Sequence, residues 1–275
     1  MNFLIPTMFF GTLVAKGLWN LRHSVMFFPS KDVKTTPNSI NQPFSNVYIT
    51  TKSHIVHGWF MPSTNTSAPL IIFSHGNAGN ISHRLTFIEF WKQHLAPYYS
   101  LYIYDYPGFG NTVLVHNRNK IGKPTVQLCK DALHNVTDYW KQYYPTEKIA
   151  LYGESIGAAI TAVVASERTD TFEKIFIQST FTSISDIATH LYSNFGFLTK
   201  IIPMLPEELD VIESLKKLKR RHQRVIIMHS RTDGLIPWEM FVKMQPYATL
   251  SIELQGSHNE TDFDETLARS MLVQM

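Results

Sequence analysis

Charge, cysteine and repetition are all scarce in this chain. Of 275 residues only 17% are charged, and 25 basic against 22 acidic side chains leave a net +3. That balance is too mild to recruit nucleic acid, and no dense Arg/Lys patch with interleaved aromatics is present. The short basic run 216–221 reads as the solvated face of a helix. A single cysteine, Cys129, excludes an internal disulfide and a multi-cysteine zinc site. Cys129 itself reads as a packed helix residue and not as a thiol nucleophile. No pair of histidines has ligand spacing on one helix and the carboxylates are scattered, so no metal site is expected. There is no internal repeat and no low-complexity segment. At 44% hydrophobic the chain is suited to a large core, and disordered or collagen-like readings are excluded.

The amino-terminal apolar run is short. Residues 3–15 are uncharged and mostly apolar until Lys16 interrupts them. Thirteen helical residues reach about 20 Å, against a bilayer core of about 30 Å. A span would have to bury Lys16 or let it snorkel while using Leu18 and Trp19. A secretory signal fits poorly, because no basic residue precedes the run and Leu13 spoils an Ala-x-Ala site ending at Ala15. Lys16, Arg22, Lys31 and Lys34 follow it, which places the next domain on the cytoplasmic side if the run inserts. Residues 1–20 are therefore expected to be a membrane anchor, with a docked apolar helix as the other reading, and residues 21–275 the folded domain.

Hydrophobic patterning predicts alternating strands and helices. Residues 46–50 and 55–61 read as a hairpin; 70–73, 101–104, 149–152, 175–177, 225–228 and 250–254 read as further strands. Val126, Cys129, Leu133, Val136, Trp140 and Tyr143 recur at spacings of three and four, marking one apolar helix face. Helices are also expected over 82–95, after Gly157 through Ala165, over 237–248 and over 260–273. This order argues for a mostly parallel, eight-stranded sheet with helices on both faces. Residues 182–222 contain no strand and carry Phe195, Phe197, Leu198, Ile201 and Ile202, a helical insertion expected to act as a small lid or apolar wall, with a crossover helix and a long loop as the other reading.

Gly153-Glu154-Ser155-Ile156-Gly157 is a Gly-x-Ser-x-Gly match between a strand and a small-residue helix. That context turns a weak motif into a nucleophile elbow, which presents the serine hydroxyl above the sheet. A serine needs a general base. His258 stands after the last strand and its Gln255-Gly256-Ser257 turn. The imidazole needs a carboxylate to hold its tautomer. Asp233 follows the strand at 225–228, with Asp186 as the nearby rival. The loop Ser74-His75-Gly76-Asn77-Ala78-Gly79-Asn80 is placed to form an oxyanion hole, with the amides of Asn77 and Ile156 as donors and His75 bracing the loop. Asp105-Tyr106-Pro107-Gly108-Phe109-Gly110 reads as a tight loop beside the site.

As a set these segments resemble the α/β-hydrolase superfamily, and more closely its Bem46-type branch, which includes membrane-anchored ABHD-type serine hydrolases. The matching pieces are Phe28-Pro29-Ser30, His57-Gly58-Trp59-Phe60, His75 to Asn80, Tyr152 to Gly157, Phe181-Thr182-Ser183, Asp233 and Gly256-Ser257-His258-Asn259. The resemblance implies the α/β-hydrolase fold, a Ser155-Asp233-His258 hydrolase of esters or thioesters, no cofactor, a lipid-like or small acyl substrate, and a membrane anchor. The stretch 111–123 is longer and more basic than the family's usual one, which bears on substrate choice. The same fold also supports non-catalytic binding proteins, and that alternative stands beside the hydrolase reading.

Overall fold

The computed structural model describes residues 26–117, 122–194 and 209–273. The expected anchor at 1–20 and the apolar residues Phe195 to Leu205 lie outside the described residues.

The central sheet is built from β2 (Ser45–Thr50), β3 (His54–Met61), β4 (Leu70–Ser74), β6 (Ser100–Tyr104), β8 (Ile149–Glu154), β9 (Ile175–Gln178), β10 (Val225–Ser230) and β11 (Leu250–Leu254). Their spatial order is β11-β10-β9-β8-β4-β6-β3-β2. Every pair from β11 to β6 is parallel, and β3 and β2 close one side as an antiparallel hairpin. This is the α/β-hydrolase fold. Successive residues of a strand point to opposite faces, and both faces are covered. Leu70, Ile72, Leu151, Val225 and Ile227 enter one core; Ile71, Phe73, Tyr152, Ile226 and Met228 enter the other. The first core is capped by helices α2 (Val126–Trp140), α3 (Ile156–Glu167), α5 (Val211–Arg220) and α6 (Trp238–Met244). The second is capped by α1 (Leu85–Phe90) and α7 (Glu265–Leu272).

Several boundaries differ from the sequence reading. Helix α2 stops at Trp140, so Tyr143, one step further along the apolar spacing, stands 63% exposed on the turn before Pro145. The last helix starts at Glu265 and not at 260, because residues 256–261 form an antiparallel bridge and the Asp264 side chain then caps the Leu267 N–H at 2.8 Å. In the segment 182–222, α4 (Ile184–Leu191) is followed after 209 by α5, whose Val211, Leu215 and Leu218 belong to the main core. Three short strands had no periodic signal. β7 (Val113–Leu114) pairs with β3, and β1 (Phe28–Pro29) pairs with β5 (Ala78–Gly79) in a separate parallel ribbon. Among the described residues no helix is long and apolar enough to cross a membrane.

Candidate active site

The parallel strands deliver their carboxyl ends to one edge of the sheet, where α/β folds place their sites. β8 ends there, and Ser155 makes the turn into α3 with φ 55° and ψ −122°. Few non-glycine residues accept a positive φ, and such strain clusters at functional positions. The turn is this tight only because Gly153 lacks a side chain: a Cβ there would overlap the Ala158 main chain. The Ser155 N–H is anchored to the Gln178 carbonyl at 2.9 Å, which fixes the elbow to β9.

The structure brings Ser155, His258 and Asp233 together from three separate strand ends. Ser155 Oγ lies 3.1 Å from His258 Nε2. His258 Nδ1 lies 2.7 Å from Asp233 Oδ2. The other carboxylate oxygen, Oδ1, accepts the N–H groups of Leu235 and Ile236, both at 2.9 Å. Burial of Asp233 works to raise its pKa, but the hydrogen bond from His258 and these two main-chain donors outweigh it and hold the carboxyl below its ordinary value. With Oδ2 accepting from Nδ1–H, Nε2 is left free to take the serine proton. Asp186 lies elsewhere: it accepts the Thr182 hydroxyl at the start of α4, and its own N–H is capped by Ser183 Oγ at 3.0 Å.

His229, on β10, donates from Nε2 to the Ile236 carbonyl at 3.0 Å, behind the Asp233 loop. Burial lowers its pKa, so it is a neutral brace. His75 is fully buried, its ring tilted against Tyr106 at 4.5 Å and edge-on to Phe109 at 5.0 Å, and bonded to the Gly76 carbonyl through Nδ1 at 2.7 Å. Burial first, and the nearby Arg84 charge second, push its pKa down to about 4. It is therefore uncharged at neutral pH and braces the loop that carries Asn77. Asp105 Oδ1 holds the same loop from below by accepting the Ile81 N–H at 2.9 Å. Ile156 is the first residue of α3, and its N–H has no carbonyl partner within the helix.

Asn77, Ser155 and His258 line one cleft of about 440 Å³. Its other walls include residues that sequence reasoning did not single out as site residues. Arg84 and Glu154 form an ion pair at 2.8 Å beside the serine. Gln178 accepts the Tyr152 hydroxyl and donates to Thr261 Oγ1 at 3.0 Å, tying the end of β9 to the loop after His258. Glu154 lies inside the Gly-x-Ser-x-Gly match, but Arg84 is 70 residues away and carries no local signal. None of the described residues of 182–222 lines this cleft, whose walls come from residues 76–87 and 258–263 together with Glu154, Ser155 and Gln178.

The chain matches the family described as serine aminopeptidase, S33, over residues 66–243. It is 23% identical to protein bem46 of Schizosaccharomyces pombe, over 82% of this chain and 75% of that one. It is 25% identical to an uncharacterized membrane protein of Saccharomyces cerevisiae, over 94% of this chain and 92% of that one. Among solved structures it is similar to the Pyrococcus furiosus esterase Pf2001, with a TM-score of 0.64 at 18% identity, covering 89% of this chain and 93% of that one.

Proposed function

The chain belongs to the serine aminopeptidase S33 family of α/β hydrolases and is Bem46-like, and from that premise we propose that it cleaves carboxylic esters or acyl thioesters through an acyl-enzyme on Ser155. The observation that carries this reading is the relay from Ser155 Oγ to His258 Nε2 at 3.1 Å and from His258 Nδ1 to Asp233 at 2.7 Å. Ser155 Oγ attacks the acyl carbon while His258 takes its proton. His258 then gives that proton to the departing alcohol or thiol, leaving the acyl group on Ser155. A water molecule, deprotonated by His258, attacks the ester so formed; the bond from the acyl carbon to Ser155 Oγ breaks, His258 returns the proton to Oγ, and the acid is released. Asp233 keeps Nδ1 protonated and balances the imidazolium. The N–H groups of Ile156 and Asn77 receive the charge that develops on the acyl oxygen.

Membrane attachment through residues 1–20, with the hydrolase domain facing the cytoplasm, is the second half of the proposal. It is supported by the apolar run 3–15, the basic residues after it and the membrane protein among the relatives. The decisive experiment is labelling with a fluorophosphonate probe alongside a panel of p-nitrophenyl esters. Labelling and turnover that vanish in Ser155→Ala are expected. A wild-type chain that neither labels nor turns over ester would leave the non-catalytic binding protein as the better reading.

A further inference from the structure

The tripeptide Phe28-Pro29-Ser30 takes no part in the relay, yet it is bonded to the loop that carries Asn77. The Phe28 N–H donates to the Asn77 carbonyl at 2.8 Å, and the Ser30 N–H donates to the Gly79 carbonyl at 2.8 Å. The register pairs Phe28 with Ala78 and Pro29 with Gly79, in parallel. In such a ribbon alternate N–H groups face the partner strand. Pro29 occupies the intervening position, where an N–H would point away, so a residue with no N–H weakens nothing. β5 has no other strand partner among the described residues. Among the described residues the carbonyls of Asn77 and Gly79 have no hydrogen-bond partner other than β1 and Ser30, while that of Ala78 accepts from Arg84 at 3.4 Å.

The contact works through the main chain. The Phe28 side chain is 56% exposed, whereas its neighbour Phe27 is buried. Phe27 lies edge-on to Phe109 at 6.3 Å, and Phe109 lies against His75 at 5.0 Å. The Ser30 carbonyl accepts the Gly110 N–H at 2.9 Å and the buried Asn80 Nδ2 at 3.1 Å. The segment 27–30 thus ties the 77–80 loop, which lines the cleft, to the neighbouring loop at 105–110.

The geometry points to residues 27–30 as a positioning element for the oxyanion hole. By holding the Asn77 carbonyl, the Phe28 N–H fixes the turn from which the Asn77 N–H faces the developing charge. This rests on the reading of Ser155 as an acyl-transfer nucleophile. Oxyanion donors act only within a narrow distance range, so a loosened turn weakens transition-state binding more than substrate binding.

The test removes one N–H. Phe28→Pro deletes the donor, and Phe28→Ala keeps it. The readouts are kcat and KM for a p-nitrophenyl ester, affinity for a trifluoromethyl ketone that forms an oxyanion adduct on Ser155, and the melting temperature. Phe28→Pro should lower kcat by about 10- to 100-fold with KM little moved, and weaken the trifluoromethyl ketone by a similar factor. Phe28→Ala should recover most of both. Where Phe28→Pro fails to melt cooperatively, phenyllactic acid incorporated at position 28 replaces the same N–H by an ester oxygen without adding a ring. An active wild type whose donor-deleted form keeps full kcat and full ketone affinity overturns this inference alone, and so does a loss confined to KM. A wild type with no turnover and no labelling overturns the hydrolase reading and this inference with it.

Discussion

Gly157 lies directly beneath the carbonyl of Ser74. A Cβ on Gly157 would overlap the main-chain oxygens of Ser74 and His75. The first turn of the helix after Ser155 is thus pressed against the strand end that leads into the Asn77 loop, and the two halves of the site share one rigid contact. Gly157→Ala must push this backbone apart. It should lower stability by at least about 2 kcal/mol, as overpacking against main chain does. Chemical denaturation of the variant checks this, and a change within about 0.5 kcal/mol would show that the contact gives way easily.

Relay substitutions should separate sharply. Ser155→Ala should abolish fluorophosphonate labelling with little change in melting temperature, since it removes one hydroxyl from a turn. His258→Ala should lower kcat by at least about 10³-fold, because groups that act as a unit fail together. Asp233→Asn should be similarly severe, whereas Asp186→Asn, whose carboxylate serves the start of α4, should keep a near-normal rate. A crippled Asp186→Asn beside a healthy Asp233→Asn would reassign the acid.

Arg84 and Glu154 flank the serine at 2.8 Å from each other. Arg84→Met leaves a carboxylate unbalanced next to the position where the oxyanion develops. The expected effect is a fall in kcat of about 10-fold, on the order of 1–2 kcal/mol of unfavourable charge interaction. Adding Glu154→Gln to Arg84→Met should restore most of it, and a double-mutant cycle measures the coupling. Strictly additive losses would mean that the two charges act independently.

Acid should weaken the fold before the carboxylates titrate. His75 has its pKa pushed from the ordinary 6.5 down to about 4, and burial lowers His54 and His229 as well. As pH falls below 6.5 the unfolded chain takes up protons that these folded histidines refuse, so stability drops until the folded pKa is passed. His75 alone accounts for up to about 3 kcal/mol between pH 6.5 and 4. Urea denaturation at half-unit pH steps should show this slope, and His75→Asn should flatten it. Equal stability at pH 7 and pH 4.5 in the wild type would contradict the burial argument.

Removal of residues 1–20 should move the protein from the membrane pellet to the soluble fraction with the proposed ester turnover kept, because β1 begins only at Phe28. A full-length chain that is soluble at low salt without detergent would remove the anchor from the proposal.

Local patterning determined a great deal of this protein. Short apolar runs located the eight principal strands, spacings of three and four marked the apolar face of α2, and the sequence Gly153 to Gly157 between a strand and a small-residue helix marked the elbow. Such features are legible because they depend on neighbours within a few residues. Tertiary structure alone decided the rest. Asp233 and Asp186 were both plausible acids by position, and only the folded loops bring one of them to 2.7 Å from His258. Arg84 reaches Glu154 across 70 residues, and Phe28 reaches Asn77 through a ribbon only two residues long. Contacts of that kind leave no periodic trace: a single side chain or one main-chain N–H makes them, and sheet order sets which distant segments meet.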